Sequence, residues 1–476
     1  MSLLIKEVQI VDGTGRPPYK ADVLIQKNII SAIGSLKRRP AQKEIDGLGN
    51  YLTPGFIDIN TDSDHYLTLI THPSQSGLTS QGVTTAIGGH CGASLAPLLY
   101  GTLESIRKWA DPADINVNWH STAEFLKTLD KLPLGVNFGT LTGHSTIRRA
   151  LARENNRRLT NKELAIFERI LKQALEEGSF GFSTGLGYVH GRSASAREIK
   201  SLVKIVAGEG GVYTTHLRSE TEELLDSVKE TIKIAKDTEA KTIISHLRPI
   251  KGYEAQYVEA LQLLEKSSAK ASVYFDTYPD TTSVRTIYTL LPPEAQKGNL
   301  EAMLEQIKNK KTADQIKKKW QKLNMRGMKV ASAPHHPYLV GRTIEDADDL
   351  INLMIATGLR ATVFNPDVNG DLLPEALAMS RAFIASSNSG QASGTFPKYL
   401  ELAVKEGGVP IEQAVKKITS DAFSYFGIKR RGMVKEKNIA DLVIIGKSDY
   451  KIRNAILGGK VVGEEETRGE VLRHKK

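Results

Sequence analysis

The sequence predicts an α/β protein: a (β/α)8 TIM barrel joined to a small β-sandwich domain built from both termini, with a lid-like insertion. Three observations predict it. Strand-length apolar runs alternate with helical patterns through the middle of the 476-residue chain. Both ends are strand-rich and lack helical periodicity. Histidines and other chemistry-bearing residues stand directly after strands, where a barrel gathers its loops.

At the N-terminus, LLIKEVQIVDG, ADVLIQKNIISAIG and the approach to YLTPG are apolar runs broken by turn residues, the signature of strands. ADLVIIGK, IRNAILGGKVVG and EVLR repeat the pattern at the other end. Residues 1–53 and 426–476 are therefore expected to form one β domain, closed only after the central domain, 54–425, is complete. PGFIDINTDSDHYLTL (54–69) reads as the end of a strand running into a catalytic loop.

The βα rhythm follows. GVTTAIGG, LGVNFGTLTGH, GSFGFSTGL, GVYTTH, AKTIISH and ASVYFDTYP read as strands. NKELAIFERILKQALEEG carries apolar residues at helical spacing and stops at Gly178, a C-cap residue. REIKSLVKIVAGEG, TEELLDSVKETIKIAKDT and AQYVEALQLLEKS are helical as well. Residues from about 282 to 345 break the rhythm, and an insertion of that length in a barrel forms a lid or subdomain over its C-terminal face. A doubly wound sheet is the alternative, but no GxGxxG opens a helix after a first strand.

Composition narrows the class. The chain is 40% hydrophobic, ample for a large core. No run of about eighteen apolar residues occurs, so no membrane span is expected. MSLLIKEVQIVDG has no basic stretch leading into an apolar one and a small-residue cleavage site, so a cytoplasmic protein is expected. The single cysteine, Cys91, rules out an internal disulfide and suits a reducing compartment. Part of the net charge of +10 sits in KNKKTADQIKKKWQKLNMRGMK (308–329). With no nucleic-acid motif beside it, this reads as a solvated, Lys-rich helix face, and no nucleic-acid partner is expected.

Among the eleven histidines, His216 in VYTTHLRSE and His246 in TIISHLRP follow strong strand patterns and stand one βα unit apart. In a barrel both face one mouth. Cys91, in GGHCGASLAPL, follows another strand. A strand-end histidine is more often a hydrogen-bonded polar group than a ligand, but three such residues together make a soft, zinc-suited set with a fourth position left for water.

Across nearly its whole length the chain resembles the amidohydrolase superfamily, metal-dependent hydrolases, and within it the D-aminoacylases (N-acyl-D-amino-acid deacylases). The stretches that carry the resemblance are PGFIDINTDSDHYL, SQGVTTAIGGHCGASLAPL, GHSTIRRA, GSFGFSTGLGY, GGVYTTHLRSE, TIISHLR, ASGTFPKYL and KEKNIADLVII, in family order. The resemblance implies one tightly held Zn2+ per chain on Cys91, His216 and His246. Such a metal activates a water for attack on an amide carbonyl.

Two departures stand out. The family's HxH is Asn60-Thr61-Asp62 here. Asn60 and Asp62 offer oxygen ligands at the position of a second, weaker metal, which is expected to be absent or differently bound; Asp64 and His65 follow at once as the residues that would compensate. The family's catalytic aspartate, in a turn before GTFP, matches Asn388 in ASSNSGQASGTFP. An amide cannot take up and return a proton at neutral pH. Asp62 and Asp64 are the expected substitutes, with His335 and His336 of the insertion behind them. A substrate carboxylate needs a cation, and Arg218, Arg248, Arg285 and Arg342 are the candidates; Tyr188, in GSFGFSTGLGY, is expected to touch substrate as well. The expected function is zinc-dependent hydrolysis of an N-acyl-D-amino acid, a small-molecule substrate. Two alternatives stay open: a catalytically impaired relative that keeps zinc for ligand binding or stability, and an amidohydrolase shifted to another substrate such as a cyclic amide.

Overall fold

The structure is a computed structural model that describes residues 2–36, 39–100, 103–153, 156–267, 271, 273–320, 325–387, 394–464 and 466–475. At its centre, strands Phe56–Asp58, Val83–Gly88, Asn137–Thr140 with Thr142–Gly143, Gly181–Gly185, Val212–His216, Lys241–Ile244, Val273–Thr277 and Ala382–Ile384 pair in parallel, each with the next. Thr140 and Thr142 belong to one strand interrupted at Leu141; its first half pairs backward and its second half forward. Past the last strand, Ser387 N donates to Asn60 O at 3.0 Å, and Ser386 N to Asp58 Oδ1 at 3.1 Å, tying the eighth strand end to the first. This is the (β/α)8 arrangement. Its strands are buried on both faces, which is why they read as unbroken apolar runs.

Helices Asn161–Glu176, Ala196–Gly208, Leu224–Thr238 and Glu254–Lys266 alternate with these strands. The first opens on a capping box: Thr160 accepts from Glu163 N, and the Glu163 carboxylate accepts from Thr160 N. Phe167, Leu171, Ala174 and Leu175 recur at helical spacing and form its buried stripe. The chain leaves at Gly178, whose φ of +117° favours glycine.

The two ends of the chain share one eight-stranded sheet. Strands Leu442–Ile445 and Tyr51–Pro54 lie side by side at its centre. The period of two shows at Leu442–Ile445: Leu442 and Ile444 enter the core of this sheet, while Val443 and Ile445 enter the core shared with the barrel. Each face therefore resists a one-residue slip in register.

Beyond the seventh barrel strand the chain forms a second, antiparallel sheet of Ser283–Thr286, Lys329–Ser332 and Thr362–Asn365. Helices Leu300–Lys308, Lys310–Lys319 and Ala347–Ala356 pack on it. Its core is continuous with Tyr188 and Cys91, so this unit sits against the barrel mouth. Among the described residues no helix is long and apolar enough to cross a membrane.

Candidate metal centre

Cys91, His216 and His246 converge at the C-terminal ends of barrel strands, each on its own strand or the turn after it. One ligand atom from each lies within 4.8 Å of the others, and all three residues are buried. Nδ1 of His216 stands 2.9 Å from Nε2 of His246, and Sγ of Cys91 stands 3.4 Å from that same Nε2. No other group of His, Cys, Asp and Glu among the described residues meets the same test. Burial holds His216 well below its ordinary pKa, so its ring is neutral with a free lone pair, the form that ligates a metal. Burial, then the nearby charge of Asp62, pushes the Cys91 thiol up.

The backbone is strained at two of these three residues. Cys91 has φ +53° and His246 φ +42°, left-handed conformations that non-glycine residues seldom adopt. Neighbours hold them there. Asp276 Oδ1 accepts from His246 N at 2.7 Å. The glycines around Cys91 permit the tight turn; a Cβ on Gly89 would stand 2.3 Å from Leu141 O.

A second layer orients the ring of His246. Its Nδ1 faces Glu220 Oε1 at 3.1 Å, which fixes the tautomer and leaves Nε2 toward Cys91 and His216. Glu220 also accepts from Arg248 Nη1 at 2.7 Å. Burial opposes ionisation of Glu220, but the charge of Arg248 and the hydrogen bond from His246 outweigh it and hold the carboxyl well below its usual value. Glu220 was not singled out from the sequence, although it stands four residues after His216 in GGVYTTHLRSE. Asp276, at the end of ASVYFDTYP, was missed too. Burial lifts its carboxyl to about 6. Its Oδ2 accepts from Asn60 Nδ2 at 3.1 Å, which leaves Asn60 Oδ1 buried without a partner among the described residues.

Asp62 is partly exposed. Its Oδ1 accepts from Ser387 Oγ at 3.0 Å and lies 3.0 Å from His65 Nδ1. His65 Nε2 faces the carbonyls of His90 (3.1 Å) and Ala93 (3.2 Å). Carbonyls and carboxylates only accept, so both ring nitrogens must donate and His65 is an imidazolium. Burial opposes that charge, but Asp64 and Asp62 outweigh it and raise the ring's pKa. The ring lies flat on Trp109, centroids 4.2 Å apart. Asp64 is buried and accepts from Gly89 N at 2.6 Å. Asn388 lies outside the described residues, as do its next five neighbours.

A cavity of about 650 Å³ opens against His216 and His246, a size suited to a small molecule. Tyr188, Arg218, Glu220, Arg248 and Arg285 line it. Tyr188 stacks on His216 at 4.4 Å, and Lys108 places its ammonium 4.1 Å from the Tyr188 ring. Arg248 Nε is buried with no hydrogen-bond partner among the described residues. Arg285 pairs with Asp367 at 3.0 Å, and Arg218 with Glu230 at 2.7 Å. The structure does not bring Arg342, His335 or His336 to this mouth: Arg342 pairs with Asp349, His335 with Asp111, and His336 contacts Tyr338. In the Lys-rich helix, Lys317 bonds Asp314 and Asp348 while Ala313 and Ile316 turn inward, as a solvated amphipathic face does.

Residues 51–462 match the amidohydrolase family. The chain is 28% identical to D-aminoacylase of Alcaligenes xylosoxydans xylosoxydans over 462 residues, covering 93% of this chain and 87% of that one. N-acyl-D-aspartate deacylase of the same organism is 26% identical over 454 residues, with 93% and 85% covered. A solved structure of D-aminoacylase, from work on the functional role of its binuclear metal centre, superposes with a TM-score of 0.82 at 25% identity over 99% of both chains. With this barrel, these converging residues and that match, the chain belongs to the amidohydrolase family and is a hydrolase acting on C–N amide bonds.

Proposed function

We propose that this protein is a zinc-dependent deacylase that hydrolyses an N-acyl-D-amino acid to a carboxylate and a D-amino acid, binding one Zn2+ per chain through Cys91, His216 and His246. The observation that carries the reading is the convergence of one thiol and two imidazoles within 4.8 Å at the edge of a substrate-sized cavity. Sulfur and nitrogen donors of this kind suit zinc, and three protein ligands leave a position for chemistry. D-aminoacylase, a relative over almost the whole chain, has a metal centre of its own. Zinc bound here would polarise the amide carbonyl and lower the pKa of a water.

The rest falls to the chain's own residues. Glu220 keeps the His246 proton on Nδ1 so that Nε2 can serve as a ligand. Asp62 acts as the proton carrier in place of the family's aspartate. It reaches the end of the eighth strand from the adjoining loop after the first strand, where Ser387 and His65 hold its carboxylate in place. Asp64 is buried beneath and is assigned to holding the Gly89 turn. Arg248, with Arg285 beside it, faces the cavity as the anchor for the substrate carboxylate, and Tyr188 forms a wall. The lone thiol suits the reducing cytoplasm.

Elemental analysis of purified protein, paired with an assay on mixed N-acyl-D-amino acids, tests this. About one zinc per chain and turnover of D but not L substrates is the expected result. Absence of zinc would remove the Cys91–His216–His246 site. Zinc without turnover, restored by Asn388→Asp, would replace Asp62 as carrier and mark a protein that kept its metal after losing its base.

A further inference from the structure

A second cavity, about 500 Å³, opens on the other side of the same mouth. Its floor is made by Asp62 and Ser386, from the loops after the first and eighth barrel strands. Its roof is the insertion sheet, which contributes one residue from each strand: Val284, Ala331 and Phe364. Val284 and Phe364 are cross-strand partners, and Ala331 sits at the register shift between Val330 and Ser332, where a bulge re-aims a side chain. Tyr66 and Leu78 close the near wall. Val284 also lines the cavity against His216 and His246, so the two spaces flank a single strand.

We infer that this second cavity is the acyl pocket, and that the substrates carry a medium-chain or aryl acyl group rather than acetyl. The inference rests on the deacylase reading. In an N-acyl amino acid, the carboxylate and the side chain share one α-carbon. The arginines that suit the carboxylate, Arg248 and Arg285, line the first cavity only, which places that carbon and its side chain there. A trans amide directs the acyl carbon to the opposite side of the C–N bond. With the scissile carbonyl between the ligand triad and Asp62, that side is the second cavity. Its roof offers valine, alanine and phenylalanine, and Tyr66 and Leu78 extend that apolar side, which suits hydrocarbon; Thr61, Ser63, Thr68, Gln75 and Gln81 make the remaining lining polar but place no Lys or Arg there. Its volume far exceeds what an acetyl group fills.

The test is a series of N-acetyl, N-butanoyl, N-hexanoyl and N-octanoyl derivatives of one D-amino acid, with zinc-loaded protein. Each buried methylene is expected to raise kcat/KM about fourfold until the pocket is full. In Ala331→Phe the octanoyl-to-acetyl ratio collapses toward one. Gly77→Trp, where a Cβ on the cavity lining meets nothing within 4 Å, gives the same collapse. Calorimetric binding of octanoate, but not acetate, weakens in both variants. Turnover that is flat across the acyl series overturns the pocket and leaves the deacylase reading standing. Turnover that instead follows side-chain length at constant acetyl shows that the cavity holds the other half of the substrate, and also overturns it. No turnover at any chain length overturns the deacylase reading and the acyl assignment with it.

Discussion

Two buried clusters in this barrel are made of the same parts. At the mouth, His246 faces Glu220, which bonds Arg248. Outside the barrel, His144 Nε2 lies 2.9 Å from Glu198 Oε1, which also accepts from Arg148 Nε at 2.9 Å. Each has an imidazole, a carboxylate and a guanidinium largely shielded from water, although Glu220 also lines the cavity. What differs is the surroundings. His246 turns its second nitrogen toward Cys91 and His216, beside open space. His144 is walled by Phe167 and Phe182, at ring distances of 5.5 and 5.9 Å, and among the described residues no third His, Cys, Asp or Glu joins it and Glu198 in a ligand-spaced group. A buried His–Glu–Arg set by itself serves structure; it becomes chemistry where it aims a lone pair at other donors with room for a ligand.

That comparison can be broken or sharpened by substitution. Removing a converging donor, by Cys91→Ala or His246→Ala, is expected to drop metal content below about a tenth and kcat/KM by about 10³ or more. Metal analysis and kinetics on the same preparation check it. Asp62→Asn should retain zinc and lower kcat by about 10²–10⁴, the usual worth of general acid–base help. Equal loss in Asp64→Asn with the fold intact would move that role. Glu220→Gln should weaken zinc affinity about 10–100-fold by freeing the His246 ring, read by chelator competition.

The outer cluster should answer differently. Arg148→Ala is expected to cost about 3–5 kcal/mol of stability, because the partners left behind are buried, while kcat is unchanged. Denaturant unfolding and kinetics separate the two effects. The pH dependence has a definite sign. Burial opposes the charge on Glu198, but His144 and Arg148 outweigh it, so its carboxyl titrates below the ordinary value in the folded chain. Its contribution to stability is therefore complete above the unfolded-state value and is lost as pH falls through the folded one. Arg148→Ala should shrink that acid-side loss. The smallest effect belongs to the Lys-rich helix: changing Lys317, Lys318 and Lys319 to glutamine should alter activity less than about twofold, since these side chains face solvent and nearby acids.

Much of the site was legible because its residues sit at strand ends. His216 and His246 follow runs whose apolar character announces a parallel strand, and one βα unit between them means neighbouring positions on the rim. Glu220 was not legible in the same way. Four residues past His216 it lies on a loop, and no periodicity says that a loop glutamate turns back to the next strand's histidine rather than to water. Asp276 was hidden because a strand-end aspartate looks like any strand-to-loop transition; only the fold shows it holding His246 N and Asn60 together. The arginines were visible only as candidates. Arg342 pairs with Asp349 within the insertion, and local sequence cannot tell that pairing from a cation aimed at substrate.

The sequence by itself pointed to the barrel, to one β domain shared by the two chain ends, and to a thiol and two imidazoles at strand ends. These follow from local rules: residue period, turn chemistry and the ligand preference of sulfur and nitrogen. Tertiary structure alone decided which carboxylate stands beside which histidine, that Asp62 reaches the eighth strand end to meet Ser387, and that the insertion roofs a second cavity. Those facts depend on the meeting of segments hundreds of residues apart. Such meetings are set by packing and closure of the ring, and no local pattern encodes them.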